Sequence, residues 1–425
     1  MNELAGLQVY KFGGASVRDA AAIRNLGHIV REHGRGGPLL VVVSAMDKTT
    51  NALEEIFQLA SAGNSYEQPL SALKQFHLEA AQQLDAAAEP VAAAANPQRP
   101  RLAEVLEHLE AQLLAVRPGS YDEQYDQVVS FGELLSSVIV ANALGATWLD
   151  CRPLIHTNET WREGRVNWRS TEQAIAQALP GLLGRGVVVT QGFLGGTTGG
   201  RTTTLGREGS DYSAAIFAYC LQASSVTIWK DVAGLLNADP KIFADTVRYP
   251  EISYRETIEM AYYGASVIHP KTLKPLAERN IPLYVKSFVD PSAEGTIIDR
   301  CQHPALAPAF IRKTGQCLIS FESKDFAFIS EENLEVIFGA LAHARLKISV
   351  MQNSAISFSV CTDYSERRLQ LLLERLQEQF IIQYNTDLML FTIKNYDAAS
   401  IERLTAGKTL LLEQRTRGTF QFVCP

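Results

Sequence analysis

From Leu7 to about Asp299, short Val/Ile/Leu-rich runs alternate with stretches of helical period. That alternation restricts the chain to strands joined by crossover helices, on a parallel sheet buried on both faces. The runs at 8–12, 39–44, 147–150, 186–193, 226–230 and 282–285 are the expected sheet members. Between Tyr66 and Ala143 the pattern becomes that of long amphipathic helices, predicted over 70–88 and 102–114 and broken at Pro90, Pro97 and Pro100. That stretch is expected to cover the sheet or to form a dimer surface. Pro304 and Pro308 interrupt the pattern again. It restarts as a strand at 317–321, a helix at 331–343, strands at 347–352 and 356–361, and a helix at 365–379. The expected organisation is an α/β domain over 1–300 and a smaller α+β domain over 312–425.

Charge and hydropathy remove several classes of function. The 46 acidic side chains outnumber 39 basic ones with no basic block, so nucleic acid is not an expected partner. The apolar stretch 214–221 is far short of a membrane span, and the start of the chain runs into the first strand without a signal-peptide pattern. A cytoplasmic protein is expected. The six cysteines lie far apart with no C-x-x-C pair, which argues against a disulfide framework and a zinc site and for reduced structural thiols.

The strongest local signal is QGFLGGTTGGRTTTLGREGSD, 191–211, where seven glycines follow a strand and lead into an apolar helix. Such a loop exposes backbone N–H groups, and the helix N-terminus adds partial positive charge, so it suits a phosphate or carboxylate. Residues 195–202 nearly match a P-loop, with Arg201 in the lysine position, but the three residues after Thr202 read as extended chain rather than helix. A ligand-free mobile loop is the bland alternative. Lys11, in KFGG at the first strand's end, stands where ligands gather in open α/β sheets, or is simply a solvated strand end. Ser44 closes the second strand; Thr50 and Asn51 follow, either as ligand contacts or as helix caps. Glu133 reads as a substrate contact or as a solvated helix face, and Asp211 as a functional carboxylate or a cap.

Six motifs then occur in order: KFGGASV, VVVSAMDKTTNAL, SFGELLSS, TTTLGREGSDYSAA, WKDVAGLLNADPK and YGASVIHPKTL, spanning Lys11 to Leu273. Together they resemble the aspartate kinases. The resemblance implies an α/β fold, the three-layer αβα sandwich of amino-acid kinases, with a smaller C-terminal α+β ACT-like domain that is short for its kind. It implies ATP with Mg²⁺ and transfer of a phosphoryl group to the side-chain carboxylate of L-aspartate, the first step of the lysine, threonine and methionine branch. Lys11 and Asp211 would be catalytic, Asp211 orienting the lysines. Ser44, Thr50, Glu133, Arg207, Glu208, Gly209 and Ser210 would hold the substrate. Lys11, Gly13, Gly14, Lys230, Asp231, Leu236, Lys241, Ser266 and Val267 would meet ATP. The sequence departs from the family pattern at Ala15 (commonly Thr), Glu208 (commonly Gly), Lys230 (commonly Thr) and Ser266 (commonly Lys). The last removes a cation that Lys230 or Lys241 is expected to replace.

Residues 331–361 resemble the first half of an ACT module, with Leu334, Ile337, Phe338 and Leu341 on one helix face; no complete second signature follows. Aspartate kinases commonly bind lysine or threonine there, which places an effector at Gln352, Asn353 and Ser354, and a homodimer through these modules is expected. Two alternatives stand beside this reading: a kinase of the same fold acting on another substrate, and a non-catalytic amino-acid sensor. Glu133 with Arg207 favours aspartate over the first, and keeping Lys11, Glu133, Arg207 and Asp211 together argues against the second.

Overall fold

The computed structural model describes residues 4–34, 37–86, 100–265, 268–302, 306–324 and 327–425. Its residues group into two compact units. The first comprises 1–235, 250–258 and 268–302; the second comprises 236–249, 259–267 and 303–425, so two segments ahead of position 300 cluster with the C-terminal residues.

The strands of the first unit are β1 Gln8–Phe12, β2 Leu39–Val43, β3 Thr147–Leu149, β4 Val188–Gln191, β5 Leu194–Gly196, β6 Thr202–Thr204, β7 Ser225–Lys230, β8 Glu251–Ser253, β9 Leu283–Ser287 and β10 Thr296–Asp299. Eight of them form one sheet in the order β3-β4-β2-β1-β7-β9-β10-β8, parallel except where β10 meets β9. β5 and β6 form a separate antiparallel pair. Every residue of β2, LLVVV, is buried, as a strand covered on both faces demands.

The helices are α1 Ala20–His33, α2 Thr49–Ser61, α3 Glu67–Asp85, α4 Leu102–Leu114, α5 Tyr121–Val129, α6 Phe131–Leu144, α7 Trp168–Ala178, α8 Pro180–Leu183, α9 Gly209–Leu221, α10 Tyr254–Tyr263 and α11 Pro270–Arg279. α6 lies against β2, β3 and β4, with α1, α3 and α4 packed on it; α9 lies against β1, β2 and β7, with α7 and α11 packed on it. Both inner helices are apolar nearly all round, as helices enclosed in a core are. The run Tyr121–Leu144 has the length and hydropathy of a membrane span, yet 83% of that window is buried inside the fold.

In the sheet β2 lies on one side of β1 and β7 on the other, with β9 beyond β7. The crossovers from β1 and from β7 therefore diverge, and a crevice opens between their carboxyl ends. Lys11 lies on β1 and Lys230 ends β7, beside that crevice.

The second unit contains β11 Ala309–Ser323, α12 Glu331–His343, β12 Ile348–Asn353, β13 Ser357–Asp363, α13 Glu366–Leu376, β14 Phe380–Lys394, α14 Ala398–Thr405, β15 Leu412–Arg415 and β16 Thr419–Cys424, in a sheet ordered β12-β13-β11-β14-β16-β15. The long strands β11 and β14 shift register around Gln316, and separate cores form on either side of that shift. One gathers Ile319, Phe321, Ile337, Leu341, Phe358 and Leu372 beneath α12 and α13; the other gathers Phe310, Phe391, Ile393, Leu404 and Phe422 with α14. Ile337 and Leu341 of the expected α12 stripe are buried and Leu334 packs partly against them, whereas Phe338 is 39% exposed and meets the Phe358 ring edge-on.

Candidate active site

A cavity of about 540 Å³ lies at the carboxyl ends of β1, β2 and β7, large enough for a small substrate beside phosphates. At its base the Lys11 ammonium stands 2.7 Å from Asp211 Oδ1, and the Lys230 ammonium stands 3.7 Å from Oδ2. Burial alone would raise the Asp211 carboxyl; Lys11 and then Lys230 outweigh it and hold the group below its ordinary range. Asp211 belongs to the first turn of α9, so these cations gather at a helix N-terminus. The turn at 14–17 follows β1 directly. A Cβ on Gly14 would stand 3.0 Å from Ala45 O and 3.1 Å from Asp47 O, so this chain segment passes close against the one after β2. Gly13 caps that turn without lining the cavity.

Ser44, Thr50 and Glu133 line the opposite side. Glu133 is 3% exposed, and its Oε1 accepts the Ala45 N–H at 3.1 Å. Its Oε2 is buried with no hydrogen-bond partner. Burial pushes this carboxyl up to about 8, against the opposing pull of the Ala45 N–H and of Lys11. Arg207, Glu208, Gly209 and Ser210 complete the lining around the start of α9. Glu208 adopts a left-handed backbone, φ 53°, and its Oε2 accepts the His269 N–H at 2.8 Å. The glycine loop pairs as the hairpin of β5 and β6, so no helix begins at Thr202.

Not every candidate lies in this cavity. Asp231 is exposed and off the lining. Leu236 and Lys241 belong to the second unit, where Leu236 bridges to Arg248 and Lys241 is exposed. Ser266 and Val267 lie outside the described residues. In the second unit Gln352 and Asn353 end the edge strand β12 and Ser354 follows it, all three exposed. Sequence reasoning passed over Asp47, Glu54, Tyr125, Arg162, Phe193 and Thr204, which also line the cavity.

The model of the amino acid kinase family matches residues 6–287. Over 370 residues the chain is 33% identical to the lysine-sensitive aspartokinase 3 of Escherichia coli, covering 85% of this chain and 79% of that protein. The chain belongs to the aspartokinases of the amino acid kinase family. This aspartokinase-family chain is also 31% identical over 395 residues to a chloroplastic bifunctional aspartokinase/homoserine dehydrogenase of Daucus carota, and it spans only 42% of that protein's length. Two solved structures of E. coli aspartokinase III superpose on it. One, with lysine and aspartate in the T-state, gives a TM-score of 0.79 at 29% identity, covering 99% of this chain and 96% of the other. The second, with aspartate and ADP in the R-state, gives 0.80 at 28% identity with the same coverage. The expected three-layer kinase sandwich followed by a smaller α+β region is therefore the fold of this aspartokinase-family chain.

Proposed function

We infer that the chain transfers the γ-phosphoryl group of ATP to the side-chain carboxylate of L-aspartate, forming 4-phospho-L-aspartate, with which the lysine, threonine and methionine branch begins. Glu133 Oε2 carries this reading: a buried, unpartnered oxygen lining a cavity beside cations calls for a ligand that brings its own donor. An α-ammonium is such a donor, and Arg207 offers a planar fork to the adjoining α-carboxylate. The aspartate and ADP held by the E. coli structures support the same substrates.

The substrate β-carboxylate, with a reference pKa near about 3.9, is ionised at neutral pH, so an oxygen attacks the γ-phosphorus without a general base. The bond from the γ-phosphorus to the β,γ-bridging oxygen breaks, and ADP leaves with its electron pair. The difficulty is bringing two anions together, so catalysis rests on positioning and on the positive ends of Lys11, Lys230 and α9. Asp211 holds both ammonium groups at the phosphoryl end, and Lys230 supplies the cation that Ser266 does not. Mg²⁺ bound with the nucleotide would supply charge neutralisation to the phosphates, and Asp47 on the cavity lining would offer it a carboxylate oxygen.

The reading extends to a homodimer in the cytoplasm, regulated by lysine or threonine at Gln352, Asn353 and Ser354. The free cysteines suit a reducing compartment, and among the described residues β12 is an edge strand of its sheet. Light scattering on the purified chain reads the dimer directly, and a monomer at micromolar concentration would refute it. For the substrate, ADP formation is measured with aspartate, glutamate and N-acetylaspartate. Turnover with aspartate alone is expected; N-acetylaspartate, which lacks the ammonium, reacting as well as aspartate would overturn the role of Glu133.

A further inference from the structure

One cation lining the cavity has no role in the account above. Arg162 lies in the loop 158–166, and its backbone is left-handed at φ 64°, a conformation that costs a residue with a side chain. Asp126 holds it there. This α5 carboxylate is fully buried; its Oδ2 accepts the N–H groups of Arg162 at 2.9 Å and Thr204 at 3.0 Å, and its Oδ1 accepts the Thr204 hydroxyl at 2.8 Å. Thr204 lies three residues before Arg207. A single buried carboxylate thus holds the Arg162 backbone and the end of β6, from which the chain runs on to Arg207.

The Arg162 side chain is half-exposed and rests on one aromatic ring. Its guanidinium lies 4.0 Å over the Tyr125 ring, and the Tyr125 hydroxyl donates to Glu54. Glu54 is one helical turn beyond Thr50 on α2, so this wall adjoins the residue assigned to the amino acid. Stacking through a ring face leaves the N–H edge of a guanidinium available, and the Asp122 contact at 3.5 Å, between exposed groups, does little to occupy it. A substrate with a second carboxylate gives that edge something to bind.

We propose that Arg162 determines specificity by reading the α-carboxylate of the amino acid together with Arg207, with Asp126 as its positioning residue. The proposal rests on the aspartate reading of this cavity. Both guanidinium groups then converge on the carboxylate that does not react, which orients the β-carboxylate toward the phosphoryl end.

The test compares L-aspartate with its α-amide, which keeps the β-carboxylate and the ammonium but replaces the α-carboxylate by a neutral group. The kcat/KM for each is measured at saturating ATP in the full chain and in Arg162→Ala, Arg162→Lys and Asp126→Asn; a Ki replaces kcat/KM where the amide turns over too slowly. Arg162→Ala should lower kcat/KM for aspartate about 10- to 100-fold through KM. The amide should be nearly unaffected, so discrimination collapses by the same factor while KM for ATP stays constant. Arg162→Lys should recover part of it, and Asp126→Asn should raise KM for aspartate with little change in kcat. Equal losses for both substrates, or none for either, overturn the proposal while the aspartate reading stands. Absence of aspartate turnover in the unmodified chain overturns both.

Discussion

A buried glutamate with one unpartnered oxygen makes substrate binding and proton release a single event. Below about pH 8 the Glu133 carboxyl is protonated in the empty site, because burial raises it to that value. If Glu133 meets the α-ammonium of aspartate as proposed, the ammonium selects the carboxylate and binding below that pH expels a proton. KM for aspartate should therefore fall as pH rises, by up to about tenfold per unit below pH 8, and level off above it. Glu133→Gln keeps the volume but removes both the charge and the titration. At about pH 8 it should raise KM for aspartate roughly 10- to 100-fold, with a flat profile. Initial rates across that range check both, and a flat profile in the unmodified chain would contradict the assignment. That Lys11, Glu133, Arg207 and Asp211 line one cavity was legible because each sits in a motif at a strand end or helix start. Arg162 was not, since its loop has no period and its placement depends on Asp126, 36 positions away. No local pattern announces such a bond.

At the scale of elements, the junction between β4 and α9 is where the fold meets the chemistry. A Cβ on Gly192 would stand 2.4 Å from Ser210 Cβ and 2.6 Å from its Oγ, so the strand's exit can pass the helix start only without a side chain. Gly192→Ala should push the first turn of α9, with Ser210 and Asp211, off the cavity. Since displacement of about 1 Å can cost about 10²-fold, kcat/KM should fall by at least that order while circular dichroism keeps its native form. Unchanged kinetics would mean that α9 does not set the site. Elements with strong periods were readable from sequence to the residue: β1, α4 and α12 span their predicted 8–12, 102–114 and 331–343. The helix predicted over 70–88 runs Glu67–Asp85, and the strand predicted over 186–193 contracts to Val188–Gln191. β8 and β10 went unread. β8 has three residues and a neighbour on one side only, too little to imprint a hydrophobic period.

The whole molecule joins a kinase unit to a second unit whose sheet carries three hydrophobic clusters, and regulation belongs to this scale. The effector proposed for Gln352, Asn353 and Ser354 is tested by direct binding. Isothermal titration of the full chain should give heat with lysine, and Gln352→Ala should weaken it; no heat with either lysine or threonine would remove the effector reading. The central claim is the reaction itself, and trapping its product tests it most directly. With ATP, Mg²⁺ and hydroxylamine, an acyl phosphate is captured as a hydroxamate. The account predicts hydroxamate with L-aspartate and none with glutamate, and loss of the signal in Lys11→Ala. Hydroxamate formed from another amino acid in preference to aspartate, or none from any, would contradict it.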